Sequence, residues 1–249
     1  MVITSAQNEK VKHVVSLQDK KGRRQNGTYL AEGKKLVKEA IALGLPICAL
    51  YVAEDAVDFF GQFDVLPCEL TVFSRSLFDR ASTERTPEGV MVEIALPKEQ
   101  QTLEGDVLLL DGVSDPGNLG ALIRTAAASG YQTVLVVETA DAFSPKAVRA
   151  AMGGVFRVRV VNATRQQAIA LLSAGGYALI AADMDGEDAF AFTAQGKICL
   201  AVGNEANGLS DEIAKSATHT VQIPMQNGIE SLNAAISGSI LMYLLKRNK

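Results

Sequence analysis

From residue 107 onward, short apolar runs alternate with stretches of helical spacing. The apolar runs predict strands at residues 107–110, 133–137, 155–160, 178–182, 198–202 and 220–223. The other stretches predict helices at residues 119–129, 145–152, 165–173, 211–217 and 231–246. Strands that alternate with helices form a parallel sheet that is covered on both faces. This part of the chain is therefore predicted to be an α/β domain.

The first part of the chain predicts a smaller α/β domain. A helix is expected at residues 34–43, and strands are expected at residues 47–52, 70–73 and 90–94. A polar stretch at residues 97–105 precedes the first apolar run of the second part, as is typical of a linker. We therefore expect a first domain at residues 1–96, a linker at 97–105 and a second domain at 106–249.

Composition argues against several function classes. No apolar run reaches the roughly 18 residues of a membrane-spanning helix, and the first ten residues lack the pattern of a signal peptide. Three widely spaced cysteines and two histidines disfavour a disulfide framework, a structural zinc site and a multi-histidine metal site. We expect a cytoplasmic protein without a metal ion.

Charge is distributed unevenly along the chain. The net charge of −4 would by itself disfavour a polyanionic partner. Residues 1–38 hold nine basic and three acidic residues, a charge of +6, whereas the remainder holds 15 basic and 25 acidic residues, a charge of −10. The basic segment suits a polyanion, and a solvated helix face is the alternative interpretation.

A first motif lies where the strand at residues 107–110 ends. A glycine-bearing loop leads to Asn118, which is expected to cap a helix that starts near residue 119, and Arg124 lies within the first two turns. A strand, a glycine loop and a helix also occur in dinucleotide-binding folds, but the GxGxxG and Walker spacings are absent. Alone, this motif is weak evidence for any function.

Two further motifs follow later strands. In the second, Glu205 lies just past the strand at 198–202, where open α/β sheets bind ligands. In the third, residues 223–225 (Ile-Pro-Met) lead through an Asn-Gly turn to Ser231 and Asn233 at the head of the last helix. A glutamate in a surface turn and simple helix caps are the alternative interpretations.

Together, in this order and spacing, the three motifs closely resemble those of the SpoU/TrmH family of RNA ribose 2′-O-methyltransferases in the SPOUT superfamily. The matching residues are Asn118, Gly120 and Arg124, then Gly203, Glu205 and Gly208, then Ile223, Pro224, Met225, Ser231, Leu232 and Asn233. Residues 144–153 are also similar to the family, although Ala151 stands where a serine is frequent. Residues 27–40 resemble the substrate-binding domain of many members, which is similar to certain RNA-binding ribosomal proteins.

The resemblance implies a fold, a reaction and partners. It implies a deep C-terminal trefoil knot, a homodimer, and methyl transfer from S-adenosylmethionine to a ribose 2′-hydroxyl in RNA. The N-terminal domain favours 23S ribosomal RNA as the substrate. A tRNA ribose 2′-O-methyltransferase and a non-catalytic RNA-binding protein are the alternatives, and a nicotinamide-dependent enzyme would need the missing GxGxxG.

The resemblance also implies roles for individual residues. Those expected to hold the cofactor are Gly203, Ile223, Met225 and Leu232, since glycine and aliphatic groups suit its adenine. Those expected to act in catalysis are Arg124, Asn118, Glu205, Ser231 and Asn233. Because a guanidinium stays protonated, we expect Arg124, acting at the neighbouring subunit's cofactor site, to stabilise the developing alkoxide. Those expected to bind RNA are Lys20, Lys21, Arg23, Arg24, Lys34, Lys35 and Arg149.

Overall fold

The computed structural model describes residues 1–98 and 102–247. The chain divides into two compact units, one of Met1–Lys98 with Phe143–Arg149 and one of Glu99–Ala142 with Ala150–Lys249. Two β-sheets, one of five strands and one of six, organise the described residues.

The first unit contains a mixed sheet of five strands. Its elements in chain order are β1 (Val2–Ile3), α1 (Glu9–Ser16), α2 (Lys20–Asn26), β2 (Thr28–Glu32), α3 (Lys34–Ala42), β3 (Ile47–Ala53), β4 (Leu70–Phe73), α4 (Arg75–Ala81) and β5 (Val90–Ala95). The strands lie in the order β1-β4-β3-β5-β2. Strands β1, β4 and β3 are parallel, and β5 is antiparallel to both β3 and β2. Val14, Leu17, Phe73 and Phe78 are fully buried in the core of this unit.

The strands predicted at 47–52, 70–73 and 90–94 are confirmed, but five further elements named above, α1, α2, α4, β1 and β2, have no counterpart among the sequence predictions. These elements have two to eight residues, so an apolar period has little length over which to show itself. Local side-chain chemistry sets the start of α1, where Asn8 Oδ1 accepts a hydrogen bond of 2.9 Å from the Lys10 N–H.

The second sheet has six strands, all parallel. Its strands and the helices that follow them in the chain are β6 (Val107–Asp111), α5 (Pro116–Ser129), β7 (Thr133–Val137), α6 (Pro145–Ala151), β8 (Arg159–Asn162), α7 (Arg165–Gly175), β9 (Ala178–Asp188), β10 (Ile198–Val202), α8 (Asp211–Ser216), β11 (His219–Gln222) and α9 (Ala234–Arg247). The strand order is β11-β9-β10-β6-β7-β8. Every residue of β6, β7 and β10 is buried, as expected for a sheet covered on both faces. The predicted α/β fold with a parallel sheet is confirmed.

One strand prediction in the second part is wrong. Residues 154–156 form a short 3-10 helix, and the strand begins only at Arg159. Met152 and Gly153 have positive φ angles of 46° and 85°, which turn the chain after α6. Gly154 then packs on α5 so closely that a Cβ there would lie 2.8 Å from the Cα of Arg124. This apolar stretch therefore packs against a helix before the chain enters the sheet.

Candidate functional site

The three motif loops leave the same edge of the parallel sheet. The first loop follows β6 and the second follows β10, its neighbour in the sheet. The third loop connects β11 to α9. Because the carboxyl ends of parallel strands share one edge, residues far apart in the sequence are brought together there.

A chain of hydrogen bonds joins one side chain from each motif. Asn118 Nδ2 donates to Glu205 Oε1 at 2.9 Å, and Asn233 Nδ2 donates to Asn118 Oδ1 at 3.1 Å. Asn233 Oδ1 accepts from the backbone N–H groups of Ala235 at 2.9 Å and Ile236 at 3.3 Å, at the start of α9. A carboxylate only accepts and a backbone N–H only donates, so the two ends of the chain determine the orientation of both amides.

Glu205 is held in its ionised form. Its Oε2 also accepts from the Ser114 hydroxyl at 3.3 Å and from the Ser114 N–H at 3.4 Å. Burial raises the pKa of Glu205, but hydrogen bonds from the Asn118 side chain and from nearby backbone N–H groups outweigh it and bring the pKa below its ordinary value. Glu205 is therefore suited to accept hydrogen bonds and is a weak proton acceptor at neutral pH.

A different residue from the expected one caps α5. Asp115 is the N-cap, with its Oδ1 accepting from the Asn118 N–H at 2.9 Å, and Pro116 occupies the first helical position. The expectation that Asn118 caps a helix starting near residue 119 is wrong. The side chain of Asn118 instead bridges Glu205 and Asn233.

Backbone hydrogen bonds close the second motif loop. Asn204 and Gly208 exchange N–H···O bonds of 2.9 and 3.0 Å, and Asn204 Nδ2 donates to the Gly112 carbonyl at 2.8 Å. Gly203 approaches this turn so closely that a Cβ there would overlap the backbone of Gly208 and Leu209. The close approach explains why a glycine stands at position 203.

A cavity of about 610 Å³ lies against the second and third motif loops. It is lined by the four residues expected to bind the cofactor and by two expected to act in catalysis: Gly203, Ile223, Met225, Leu232, Glu205 and Ser231. Cofactor sites commonly have volumes of about 300–1,000 Å³ and combine an apolar lining with a few polar groups. Val202 and Leu241 add apolar surface, and Asn204 and Ser237 add polar atoms. The residues present therefore fit S-adenosylmethionine.

Arg124 is not part of the hydrogen-bonded chain. Its side chain lies exposed on α5 and makes no hydrogen bond or ion pair with residues 1–98 and 102–247. Arg124 lies six positions after Asn118 on the same helix. The two side chains therefore point about 120° apart around the helix axis and lie about 9 Å apart along it. Asn118 and Arg124 thus project from different sides of α5.

The basic residues of the first part have different environments. Lys20, Lys21, Arg24, Lys34 and Lys35 are exposed. Arg149 forms an ion pair with Glu84 and remains 41% exposed.

Arg23, by contrast, is only 3% exposed. Its Nη1 donates to the carbonyl oxygens of Leu17 at 2.8 Å and Gln18 at 2.7 Å. The prediction that Arg23 contacts RNA is wrong, because its guanidinium satisfies backbone acceptors inside the first unit.

Sequence reasoning missed two residues that hold the site together. Ser114 binds Glu205 through its hydroxyl and N–H, and Asn204 links the second motif loop to the first. The Asp-Pro pair at residues 115–116 is a helix-start signal that would have placed the cap correctly.

Residues 1–98 and 102–247 contain neither a candidate membrane span nor a candidate metal-binding cluster. Within these ranges no helix is long and apolar enough to cross a membrane. No group of three or more His, Cys, Asp or Glu residues in the same ranges has the arrangement of a metal site.

Comparison with known proteins identifies the family. The model of the SpoU rRNA Methylase family matches residues 106–243, and the model of the MRM3-like substrate binding domain matches residues 8–92. The 23S rRNA (guanosine(2553)-2'-O)-methyltransferase RlmP of Bacillus subtilis (strain 168) is 31% identical over 98% of both chains. A 23S rRNA (adenosine(1067)-2'-O)-methyltransferase of Streptomyces laurentii is 30% identical over 87% of this chain and 84% of its own. The crystal structure of an AdoMet-bound rRNA methyltransferase from Sinorhizobium meliloti matches with a TM-score of 0.88 and 29% identity, over 99% of this chain and 97% of that chain. As its three motifs predicted, the chain belongs to the SpoU rRNA methylase family.

Proposed function

We propose that this protein transfers a methyl group from S-adenosylmethionine to a ribose 2′-hydroxyl of 23S ribosomal RNA in the cytoplasm. The observation that carries the proposal is the chain of hydrogen bonds from Glu205 through Asn118 to Asn233, beside a cavity of about 610 Å³. The two relatives named as 23S rRNA 2′-O-methyltransferases support the substrate class. In this proposal residues 106–249 carry out the transfer, form the trefoil knot and are joined through residues 97–105 to an RNA-binding domain at residues 1–96.

The residues that line the cavity have two roles in this proposal: to bind the cofactor and to form hydrogen bonds with the reacting ribose. Gly203, Ile223, Met225 and Leu232 would hold S-adenosylmethionine, which supplies an electrophilic methyl group when bound. Ser231 also lines the cavity, and its hydroxyl can both donate and accept a hydrogen bond at the reacting ribose.

The polar residues control the hydrogen bonds and charge around the reacting hydroxyl. Glu205, ionised and fully engaged by donors, keeps Asn118 and Asn233 oriented. Arg124 stabilises the negative charge that develops on the 2′-oxygen as its proton leaves.

A direct assay tests this function. Purified protein is incubated with radiolabelled S-adenosylmethionine and either 23S rRNA or a tRNA pool, and ribose-methylated nucleotides are mapped. We expect methylation of 23S rRNA and a fall of about two orders of magnitude or more for Arg124→Ala with unchanged cofactor binding. Lys215→Ala, which removes a cation 78% exposed on α8, serves as the control. Transfer to tRNA alone, or no transfer at all, would favour one of the two alternative functions.

We further propose that the protein is a homodimer in which Arg124 acts at the partner's site. Arg124 projects from a different side of α5 than Asn118, which suits a role outside its own protomer. Ile236 and Tyr243 on α9 are 52% and 54% exposed and lie seven residues apart, on one face of that helix. This apolar face suits a subunit interface.

Mixing two inactive variants distinguishes a shared site from a separate one. Arg124→Ala and Glu205→Gln protomers are co-folded in equal amounts. If Arg124 acts across the interface, half of the dimers carry one intact site, and activity recovers to about a quarter of the wild-type value. If Arg124 acts within its own protomer, no activity returns. Tyr243→Glu should yield monomers by light scattering.

A further inference from the structure

Asp111 is a buried carboxylate at the end of β6 with both oxygens engaged. It is 1% exposed, and it belongs to none of the sets of residues assigned above. Its Oδ1 accepts from Arg165 Nε at 3.0 Å, and its Oδ2 accepts from the Ser210 N–H at 2.8 Å. One side chain therefore joins the end of β6, the start of α7 and the residue that caps α8.

These contacts fix the loop that carries Glu205 at both of its ends. At one end, Asn204 Nδ2 donates to the carbonyl of Gly112 at 2.8 Å. At the other end, the N–H of Ser210 donates to Asp111, the residue before Gly112. Two consecutive residues of the first motif thus anchor the whole of the second motif loop.

Arg165 balances the charge of Asp111 and is itself held in place. Its Nη2 lies 2.8 Å from Glu138 Oε2, so the guanidinium lies between two carboxylates. A buried carboxylate without a partner is strongly unfavourable, and a planar fork of donors is the geometry that satisfies two acceptors at once. Arg165 lies outside the three motifs, so the sequence motifs did not predict a role for it.

We propose that Asp111 and Arg165 are positioning residues for methyl transfer, holding the second motif loop in the shape that lines the cofactor cavity and places Glu205 against Asn118. The proposal rests on the proposed function of that site. Neither residue touches the cavity, so both act through the loop.

Replacing Asp111 with asparagine, which has the same shape, tests the role of its second acceptor oxygen. An asparagine has the same shape but only one acceptor oxygen, and its amide nitrogen would face a donor at either Arg165 or Ser210. Asp111→Asn should therefore release one end of the loop without changing the volume of the core. Arg165→Gln removes the charge partner from the other side, and Arg165→Lys restores the charge with a single donor nitrogen.

The experiment measures cofactor binding by titration calorimetry, the kcat and KM of methyl transfer, and thermal unfolding. Asp111→Asn and Arg165→Gln should weaken S-adenosylmethionine binding by about tenfold or more and lower kcat, with the KM for RNA unchanged. Arg165→Lys should recover part of the binding. Gln166→Ala is the matched control, because it removes a 2.8 Å bond to Glu212 that also links α7 to α8, but at the exposed surface.

The outcomes separate a positioning role from a purely structural one. If the variants only lower the unfolding temperature and match the wild type in cofactor affinity and kcat at 20 °C, the ion pair is structural and the proposal is overturned. If Asp111→Asn does not fold, the comparison of Arg165→Gln with Arg165→Lys decides: equal cofactor affinity in the two refutes the proposal. Failure of the wild type to bind S-adenosylmethionine would refute the proposed function itself.

Discussion

Replacing Gly203 with alanine should damage cofactor binding and leave the rest of the molecule intact. Gly203 has no left-handed backbone, so an alanine there meets no conformational penalty of its own. Its methyl group, however, would overlap the backbone of Gly208 and Leu209 and push the turn away. This displacement would break the two backbone hydrogen bonds between Asn204 and Gly208, of 2.9 and 3.0 Å.

The size of the effect follows from those two bonds. Each backbone hydrogen bond contributes about 0.5–1.5 kcal/mol, so losing both costs about 1–3 kcal/mol of loop stability. If the cofactor requires the closed loop, its affinity falls by about 5- to 150-fold. Calorimetric titration with S-adenosylmethionine measures this directly. Gly61→Ala, where an added Cβ meets no atom within 4 Å, is the control. Wild-type affinity in Gly203→Ala would refute the reasoning.

Three further outcomes are expected. Arg23→Met should lower the free energy of unfolding by about 2–4 kcal/mol in denaturant titrations, because two buried carbonyls lose a charged donor; a loss below about 0.5 kcal/mol would mean that solvent replaces it. Lys20→Glu, Lys21→Glu and Arg24→Glu together should weaken RNA binding and flatten its dependence on salt, and an unaltered slope would identify a solvated face. Because hydrogen bonds lower the pKa of Glu205 in the folded protein, its stabilising contribution is complete above its unfolded pKa and is lost only as pH falls through the lower folded value. The rate of methyl transfer should therefore show no titration of Glu205 above the ordinary pKa range of a glutamate, and a Glu205 carboxyl that titrates near neutrality by NMR would contradict this.

The fold was predictable where apolar periodicity is long and strong. The strands at residues 133–137 and 198–202 have the bounds predicted from their apolar runs, because they are buried on both faces. The stretch at residues 155–160 alternates apolar residues with two arginines and also predicts a strand, but the chain at Gly154 packs against α5, a tertiary contact that local patterning does not encode.

Part of the candidate site could be predicted from the sequence, but its arrangement could not. Of the nine residues that the motifs predicted for cofactor binding or catalysis, six line one cavity, and their roles stay predictions. Motif spacing could not indicate that Asn118 bonds to residues 87 and 115 positions away, nor that a neighbouring aspartate takes over the helix cap. The burial of Arg23 could not be predicted from the sequence either. Its partners are backbone carbonyls, which every residue has, so the sequence of a basic segment does not distinguish a buried guanidinium from an exposed one.

The bond from Asn233 to Asn118 also sets when the site can form during synthesis. Its two residues are separated by 115 positions, and Thr125 and Ser239, whose hydroxyls lie 2.9 Å apart, are separated by 114. A chain emerging from its N-terminus completes the sheet through β11 before α9 exists. The chain of hydrogen bonds from Glu205 through Asn118 is therefore complete only when Asn233 and the start of α9 have been made. A nascent chain that ends before residue 233 would hold the first two motifs but lack the Asn233 amide that donates to Asn118.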